Sequence, residues 1–542
     1  MTEDQTGVAA EGAPGAGQPV QSSRIDRAAA GWECVGIASV DDLIRKGASI
    51  RTFRWIDPRP LLISRNDRIA RWFGDPTNEE RRRWVEAQRA RPEGVPEQLV
   101  VTRDRGEPRV SFLVIGDTGE GDKSQYFVIK PMQACEEGVD FSFFCSDIIY
   151  PAGDVNEYAD KFFWPYQKFP GPIYAIPGNH DWYDGLYGFM GHFCNADPDL
   201  RPPARPVGNV VQRAIRRVAW RKPSEPDQEL IKEMRGWRGN EAQASKQPAP
   251  YFAIDIGSIL LVGIDTGIKG TLDEDQGRWL REISLVPKPK ILLTGKPLYV
   301  NGKIEETEIE HSGGTVNEIV EKREHQYIAV LGGDIHNYQR YAVHTDDGRE
   351  IQHIVCGAGG AYTHATHKID KINLKGCSEA DFRCYPRRGD SLAVFSQLYA
   401  RRLRWINWRH WLEVPYEQAP EIVAERLRDQ EPKDERAVPT RPADKVVKVT
   451  RRARIAAKFV YPLPGHGSGP WHSLMSEILD WDEPPPPLFK SFMRVDVSQG
   501  QVEMKCFAAT GCKEHEENPP LEDWITGSRR DDGVWKWEVN LK

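Results

Sequence analysis

Short apolar runs that end in glycine and polar turns set the rhythm of the middle of the chain. Val110–Ile115, Phe141–Cys145 and Pro172–Ile176 have strand length and almost unbroken apolar character, the pattern of strands buried on both faces. Helical stretches are predicted between them, at Lys123–Glu136 and Val155–Gln167. The order β-α-β-α-β implies parallel strands with crossover helices. Tyr251–Ile256 and Ile259–Ile264 read as strands around a Gly257-Ser258 turn. Thr271-Leu272-Asp273-Glu274 opens a helix to Leu285, with acids in its first turn. Lys290–Leu293, Tyr327–Leu331 and Gln352–Val355 are further strands, and Phe489–Val497 with Gln501–Ala509 are predicted to close a second sheet. Asn78–Ala90 is predicted as a charged helix whose Arg81, Arg82 and Arg83 form a solvated face. Helices are also predicted near Leu392–Trp411 and over Glu421–Asp429.

This pattern divides the chain into five parts. Residues 1–30 are a disordered tail, 31–105 an N-terminal extension, 106–370 a catalytic region with an insertion at about 195–250, 371–485 a helical Trp- and Arg-rich insertion or cap, and 486–542 terminal strands completing a sandwich. Trp55-Ile56-Asp57-Pro58-Arg59-Pro60 is expected to be extended, and Pro484–Pro487 a stiff polyproline stretch.

Charge and composition narrow the function classes. The net charge of −7 gives no broad footprint for nucleic acid. No apolar run approaches the length of about 18 residues that a membrane span needs. Met1–Gln21 lacks the apolar centre of a signal peptide. The nine cysteines contain no CxxC; Cys135, Cys145 and Cys356, in or next to apolar runs, read as buried hydrophobes in a reducing cytosol, so a cytoplasmic location is expected. Cys377 with Cys384, and Cys506 with Cys512, are the pairs to consider for metal or disulfide.

The chemistry gathers where strands end. Gly116-Asp117-Thr118-Gly119, Asp147-Ile148-Ile149-Tyr150, Gly178-Asn179-His180-Asp181 and Gly333-Asp334-Ile335-His336 each follow an apolar run. In open α/β sheets such tips build sites. Carboxylates, an amide oxygen, a phenol and imidazoles suit hard or borderline ions. A carboxylate shared by two ions could hold a pair that clamps phosphate and activates water. Two lookalikes fail: Gly295-Lys296 lacks the spacing of a phosphate-binding loop, and Gly357-Ala358-Gly359-Gly360 lacks the last glycine of a dinucleotide fingerprint.

Taken together the four motifs resemble the calcineurin-like metallophosphoesterase superfamily, with Gly119 and Tyr150 similar to its purple acid phosphatase branch. The resemblance spans about Arg109–His367. It implies a four-layer α/β/β/α sandwich and a site for two divalent or trivalent ions, Fe, Mn or Zn. By the same resemblance Asp117, Asp147, Tyr150 and His336 would hold one ion. Asp147 would bridge to a second, which Asn179 and Asp334 would also hold. His180 would serve the leaving group as acid or electrostatic stabiliser, with Asp181 orienting its ring. The implied activity is hydrolysis of a phosphate mono- or diester by in-line attack of a metal-bound hydroxide, on a phosphorylated small molecule or ester.

Two positions depart from the family pattern. Gly295 stands where a histidine ligand is usual, and Asp334 where the first of two histidines is usual. His311, His325, His364 and His367 are the candidate replacements, and Lys296 and Arg340 the candidate phosphate-binding cations. These departures open an alternative: a metallophosphoesterase-fold protein with a weakened metal site, acting as a binding or scaffolding module through a surface such as Arg402–Trp411. A nuclease is the third reading, needing a basic groove from the segment Arg213–Arg221.

Overall fold

A computed structural model of the chain describes residues 29–47, 58–103, 106, 109–196, 209–245, 247–402, 411–430, 447–463 and 486–541. The tail expected at 1–30 falls almost wholly outside these residues. So do Trp55–Asp57 and most of the Trp-rich segment Arg402–Trp411, while Pro58–Pro60, expected to be extended, instead open the helix Pro58–Ile63. Of the polyproline stretch, only Pro486 and Pro487 are described.

Fifteen strands build two large sheets. In chain order they are β1 (Val100–Thr102), β2 (Arg109–Gly116), β3 (Phe141–Cys145), β4 (Ile173–Ile176), β5 (Phe252–Asp255), β6 (Leu260–Ile264), β7 (Lys290–Thr294) and β8 (Tyr327–Gly332). Then follow β9 (Tyr338–His344), β10 (Glu350–Cys356), β11 (Phe382–Tyr385), β12 (Lys490–Ser498), β13 (Gln501–Ala509), β14 (Leu521–Arg529) and β15 (Trp535–Val539). One sheet has the order β1-β5-β6-β7-β8-β10-β9-β11, the other β15-β14-β13-β12-β2-β3-β4. β2, β3 and β4 are parallel, and β12 lies antiparallel to β2. β6, β7, β8 and β10 are parallel as well. The parallel runs therefore point their carboxyl ends the same way within each sheet, which is what collects the polar turns.

The side chains of β2 show how the layers form. Phe112 and Val114 enter a core shared with β5, β6 and β7 of the facing sheet, whereas Leu113 and Ile115 enter a second core with Val128, Ile129 and Met132 of the helix Lys123–Ala134. Alternation in a strand buried on both faces sends neighbours to opposite layers. On the far side of the eight-stranded sheet, helix Glu274–Ser284 packs Trp279, Leu280 and Ile283, and helix Val316–Glu321 packs Val316 and Ile319. The architecture is a four-layer α/β/β/α sandwich.

Several local expectations change. Only a single π-helical turn, Ala159–Phe163, occupies the stretch expected to be helical over Val155–Gln167. Helix Glu274–Ser284 starts after Asp273, whose carboxylate accepts the Gln276 N–H, while Thr271–Leu272 pairs as a short strand. Strands β9, β11, β14 and β15 complete the sheets beyond the runs read from apolar pattern alone.

The N-terminal extension is packed into the sandwich. It contributes α1 (Asn66–Phe73) and α2 (Thr77–Arg89). Arg81 of α2 is not solvated. Its side chain is fully buried, with Nε 2.8 Å from Asp265 and Nη1 2.9 Å from Asp273. The arginine run is split because α2 lies over two buried carboxylates whose charge an inward-facing guanidinium offsets. Arg82 instead pairs with Glu79 and Glu310, and Arg83 with Glu79. Cys512, considered above with Cys506, forms a disulfide with Cys34. The segment around Ile37 runs antiparallel beside it: the Ala38 N–H donates to Gly511 (2.9 Å) and the Lys513 N–H to Gly36 (2.7 Å). Cys377, Cys384 and Cys506 are free thiols. Among the described residues no helix is long and apolar enough to cross a membrane.

Candidate active site

The carboxyl ends of β3, β4, β7 and β8 open onto one cleft of about 910 Å³, and the end of β2 is buried behind it. Asp117 follows β2, Asp147 and Tyr150 follow β3, and Asn179 with His180 start the short helix Asn179–Trp182 after β4. Lys296 follows β7, and Asp334 with His336 follow β8. Three of these turns hold a non-glycine residue in the left-handed region: Asp117 at φ 54°, Asp147 at 39° and Asp334 at 68°. Each such residue costs roughly 1–3 kcal/mol unless its surroundings hold it. Here the turns are held against one another. The Asp334 N–H donates to the Asp117 carboxylate (3.2 Å) and the His180 N–H to Asp147 (2.8 Å).

The phenol of Tyr150 is the hub. Its oxygen lies 3.3 Å from Asp117 Oδ1, 3.1 Å from Asp147 Oδ2 and 3.2 Å from His336 Nε2. One hydroxyl proton thus faces two carboxylates and an imidazole. The other ring nitrogen of His336, Nδ1, donates to the Tyr362 carbonyl (2.8 Å). That bond fixes the tautomer and turns the Nε2 lone pair toward the hub. Burial pushes the His336 imidazole down to about 3, so it is neutral. Burial, then the Asp147 and Asp334 charges, hold the Asp117 carboxyl well above its usual range, and burial raises Asp147 too. Tyr150 is likewise pushed well above the usual phenol range by burial and by both carboxylates. These shifts share one leading cause, burial, and for Asp117, Asp147 and Tyr150 the neighbouring carboxylate charge adds to it, so the anionic groups are gathered with little positive charge.

A cation answers that deficit, and the donor atoms fit one. Asp117 Oδ2 and Asn179 Oδ1 are buried with no hydrogen-bond partner. Such atoms are expensive to leave unsatisfied. Gly357 leaves the space in front of Asp117: a Cβ there would stand 2.2 Å from Oδ2. At Gly178 a Cβ would stand 2.1 Å from Asp147 Oδ1. Asn179 is set by its amide nitrogen, which donates to the Tyr183 hydroxyl at 2.7 Å, one helical turn away. Asp117, Asp147 and His336 stand around the phenol, and Asp334 joins them through its backbone N–H to Asp117. Among the described residues, the one set of three His, Cys or carboxylate groups with ligating atoms all within 4.8 Å is Cys34, Cys512 and Glu514, where the two cysteines are already bonded.

The far side of the cleft differs. Gly295 is wedged, since a Cβ there would meet Thr266 Oγ1 at 2.8 Å and the Pro177 carbonyl at 3.0 Å. Lys296 reaches Asp334, with Nζ 3.8 Å from the carboxylate. Among the candidate replacement histidines, His364 lines the cleft and stacks on His336, with ring centres 4.3 Å apart, accepting the His336 N–H at 3.2 Å. The other three lie elsewhere. His367 Nδ1 bonds Ser391, His325 Nδ1 bonds the Ile319 carbonyl, and His311 is exposed beside Glu274.

Two expectations are corrected. Asp181 does not take the ring N–H of His180. Its carboxylate accepts the backbone N–H groups of Gly178 and Ile148, each at 3.0 Å, and of Ile149 at 3.2 Å. It therefore ties the turn after β3 to the turn after β4, and burial with the Asp147 charge pushes it up to about 8. The Pro151 carbonyl takes the His180 Nδ1 proton instead, at 2.9 Å. Arg340 is not in the cleft. It is buried on β9 and pairs across the sandwich with Asp523 of β14, Nε to Oδ2 2.6 Å. Alternation along β9 points it into the core.

Residues of the extension also reach the cleft, namely Arg68, Arg71 and Trp72 of α1, together with Lys269 after β6. Nothing local in the sequence marks them, because α1 ends at Phe73, well before β2 begins at Arg109. Tyr183 did carry a signal, its i+4 spacing from Asn179.

Residues 110–338 match the model of the calcineurin-like phosphoesterase family. A search of the curated proteins finds no match. Among solved structures, the chain is similar to a purple acid phosphatase from yellow lupin (Lupinus luteus) seeds at 10% identity, covering 78% of this chain and 55% of that one, with a TM-score of 0.36. It is also similar to PhoD, at 10% identity over 80% and 72% of the two chains with a TM-score of 0.37. A third is GAP50, the anchor in the inner membrane complex of Plasmodium, at 14% identity over 52% and 81% with a TM-score of 0.30. The chain thus spans about half the length of the lupin phosphatase. Residues 110–338 are thus similar to the calcineurin-like phosphoesterases, a family that generally uses dinuclear metal centres and acts on phosphate esters.

Proposed function

We propose that the chain is a metal-dependent phosphoesterase that hydrolyses a phosphate mono- or diester in this cleft. The observation that carries the reading is the convergence of Asp117, Asp147 and His336 on the Tyr150 hydroxyl, beside an unpartnered Asp117 oxygen. Asp117, Asp147, Tyr150 and His336 would hold one ion, and Asp147, Asn179 and Asp334 the other. Fe, Mn or Zn ions there would supply the positive charge that activates a water and screens the phosphate oxygens. Asp147 suits the shared position: one oxygen faces the Tyr150 hub and the other accepts from the first turn of the helix that carries Asn179.

His180 is the group for the leaving oxygen. With Nδ1 donating to Pro151, Nε2 is the nitrogen left to deliver a proton. Lys296, held beside Asp334, contributes fixed positive charge for a phosphate oxygen on the side where Gly295 supplies no ligand. Asp181 acts at one remove, by clamping the two turns that place Asp147 and Asn179.

The test is p-nitrophenyl phosphate turnover before chelation, after it, and after return of Mn, Fe or Zn. Loss followed by recovery is expected, and turnover indifferent to metal would overturn the reading. A second reading, a binding module with a depleted metal site, draws on the wedged Gly295; the same experiment separates it, since such a module would give no turnover in any metal.

A further inference from the structure

The cleft is larger than a lone phosphate needs, and its cations are unevenly used. Arg71 is paired with Asp67 at 2.8 Å, and Lys296 with Asp334. Arg68 and Lys269 line the same cleft, are exposed, and form no ion pair among the described residues. They come from opposite sources, α1 of the N-terminal extension and the turn after β6. Asp75, just after α1, takes the Lys269 backbone N–H at 3.2 Å, which holds the two segments side by side. Arg71 lines the cleft together with Asp334 and His336, so this side of α1 adjoins the strand-tip cluster. Trp72, 71% exposed, lines the same lip. Glu305, Glu306, Lys303 and Lys368 also line the cleft. On the α1 side, Arg68 and Lys269 are exposed cations with no ion pair among the described residues.

Resting on the phosphoesterase reading, we propose that Arg68 and Lys269 form a subsite for a second dianionic group, so that the preferred substrates carry a further phosphate beyond the scissile one. A guanidinium offers paired donors to phosphate oxygens, and an ammonium adds a point charge. Both act from the wall of a cleft, where low-dielectric surroundings focus their field. Supplying them from the extension explains why α1 is packed against the catalytic region at all: it closes one wall of the cleft with charge that the strand tips do not provide.

The test compares two phosphonates whose P–C bonds resist hydrolysis: propylphosphonate, and the bisphosphonate carrying a second phosphonate at the far end of the same chain. Binding to the full-length, metal-supplemented protein is read by isothermal titration. The bisphosphonate is expected to bind at least about tenfold more tightly, a difference of about 1.4 kcal/mol. The double variant Arg68→Ala/Lys269→Ala is expected to bring the ratio close to one, and Arg68→Lys/Lys269→Arg to keep most of it. A wild-type ratio near one, or a ratio unchanged in the alanine variant, would overturn the subsite. Propylphosphonate binding by itself reports on the phosphoesterase reading. If neither compound binds, that reading and the subsite fall together; if only the ratio fails, the subsite alone falls.

Discussion

The two halves of the cleft are built from the same kind of strand tip and differ in what the tips present. Around Tyr150, two carboxylates and an imidazole converge within 3.3 Å of one oxygen, and each is oriented by a backbone contact. Across the cleft, the tip after β7 presents Gly295, with no room for a side chain, and the neighbouring Lys296 leans on Asp334. One half is thus an anionic cradle short of positive charge, and the other already carries some. The lesson is that a fold can keep every strand end in place while redistributing charge between a metal and a side chain. On the proposed reading, a pair of ions in this cleft would be held unequally.

The sharpest way to break this comparison is at the residue that joins the halves. Asp147→Ala is expected to lose both ions and reduce turnover to background; elemental analysis beside p-nitrophenyl phosphate hydrolysis checks it, and retention of the tighter ion would mean that the halves are independent. His180→Ala should retain its ions and lose ~10²–10⁴-fold in kcat, which steady-state kinetics on metal-analysed protein would show. Cations sharpen the contrast. Arg340→Ala removes one member of a buried ion pair with Asp523, so it is expected to cost about 3–5 kcal/mol in denaturant unfolding and to leave KM alone. Restoring the histidine that the family resemblance implies, Gly295→His, should not strengthen the second ion: a Cβ 2.8 Å from Thr266 forces the backbone aside, at about 1–3 kcal/mol of stability. Smallest is Lys296→Met, expected to raise KM about tenfold, the scale of one charge-assisted contact.

Much of this contrast could be read from the chain. Buried parallel strands announce themselves as apolar runs, and their ends by the abrupt arrival of Gly and Asp, so the sequence alone places Asp117, Asp147, Asn179, Asp334 and His336 at strand tips. Gly295 was visible as a departure by the same logic. What stayed hidden was the use made of charges far apart in sequence. Arg81 looked like one of three solvated arginines because Asp265 and Asp273, its partners, lie more than 180 residues away. Arg340 looked available for phosphate because its partner Asp523 belongs to a strand of the other sheet. Asp181 sat beside His180 in sequence, yet the helical turn that begins at Asn179 swings its carboxylate onto three backbone N–H groups. The disulfide between Cys34 and Cys512 escaped for the same reason, a separation of 478 residues.

The most direct test of the account is the metal stoichiometry of the full-length chain, saturated in turn with Mn, Fe or Zn and followed by elemental mass spectrometry through dialysis. Two ions per chain, leaving in separate steps with the one near Tyr150 last, is the expected result. A chain that retains no ion under any of the three would contradict the account, and the fold would then serve as a binding module.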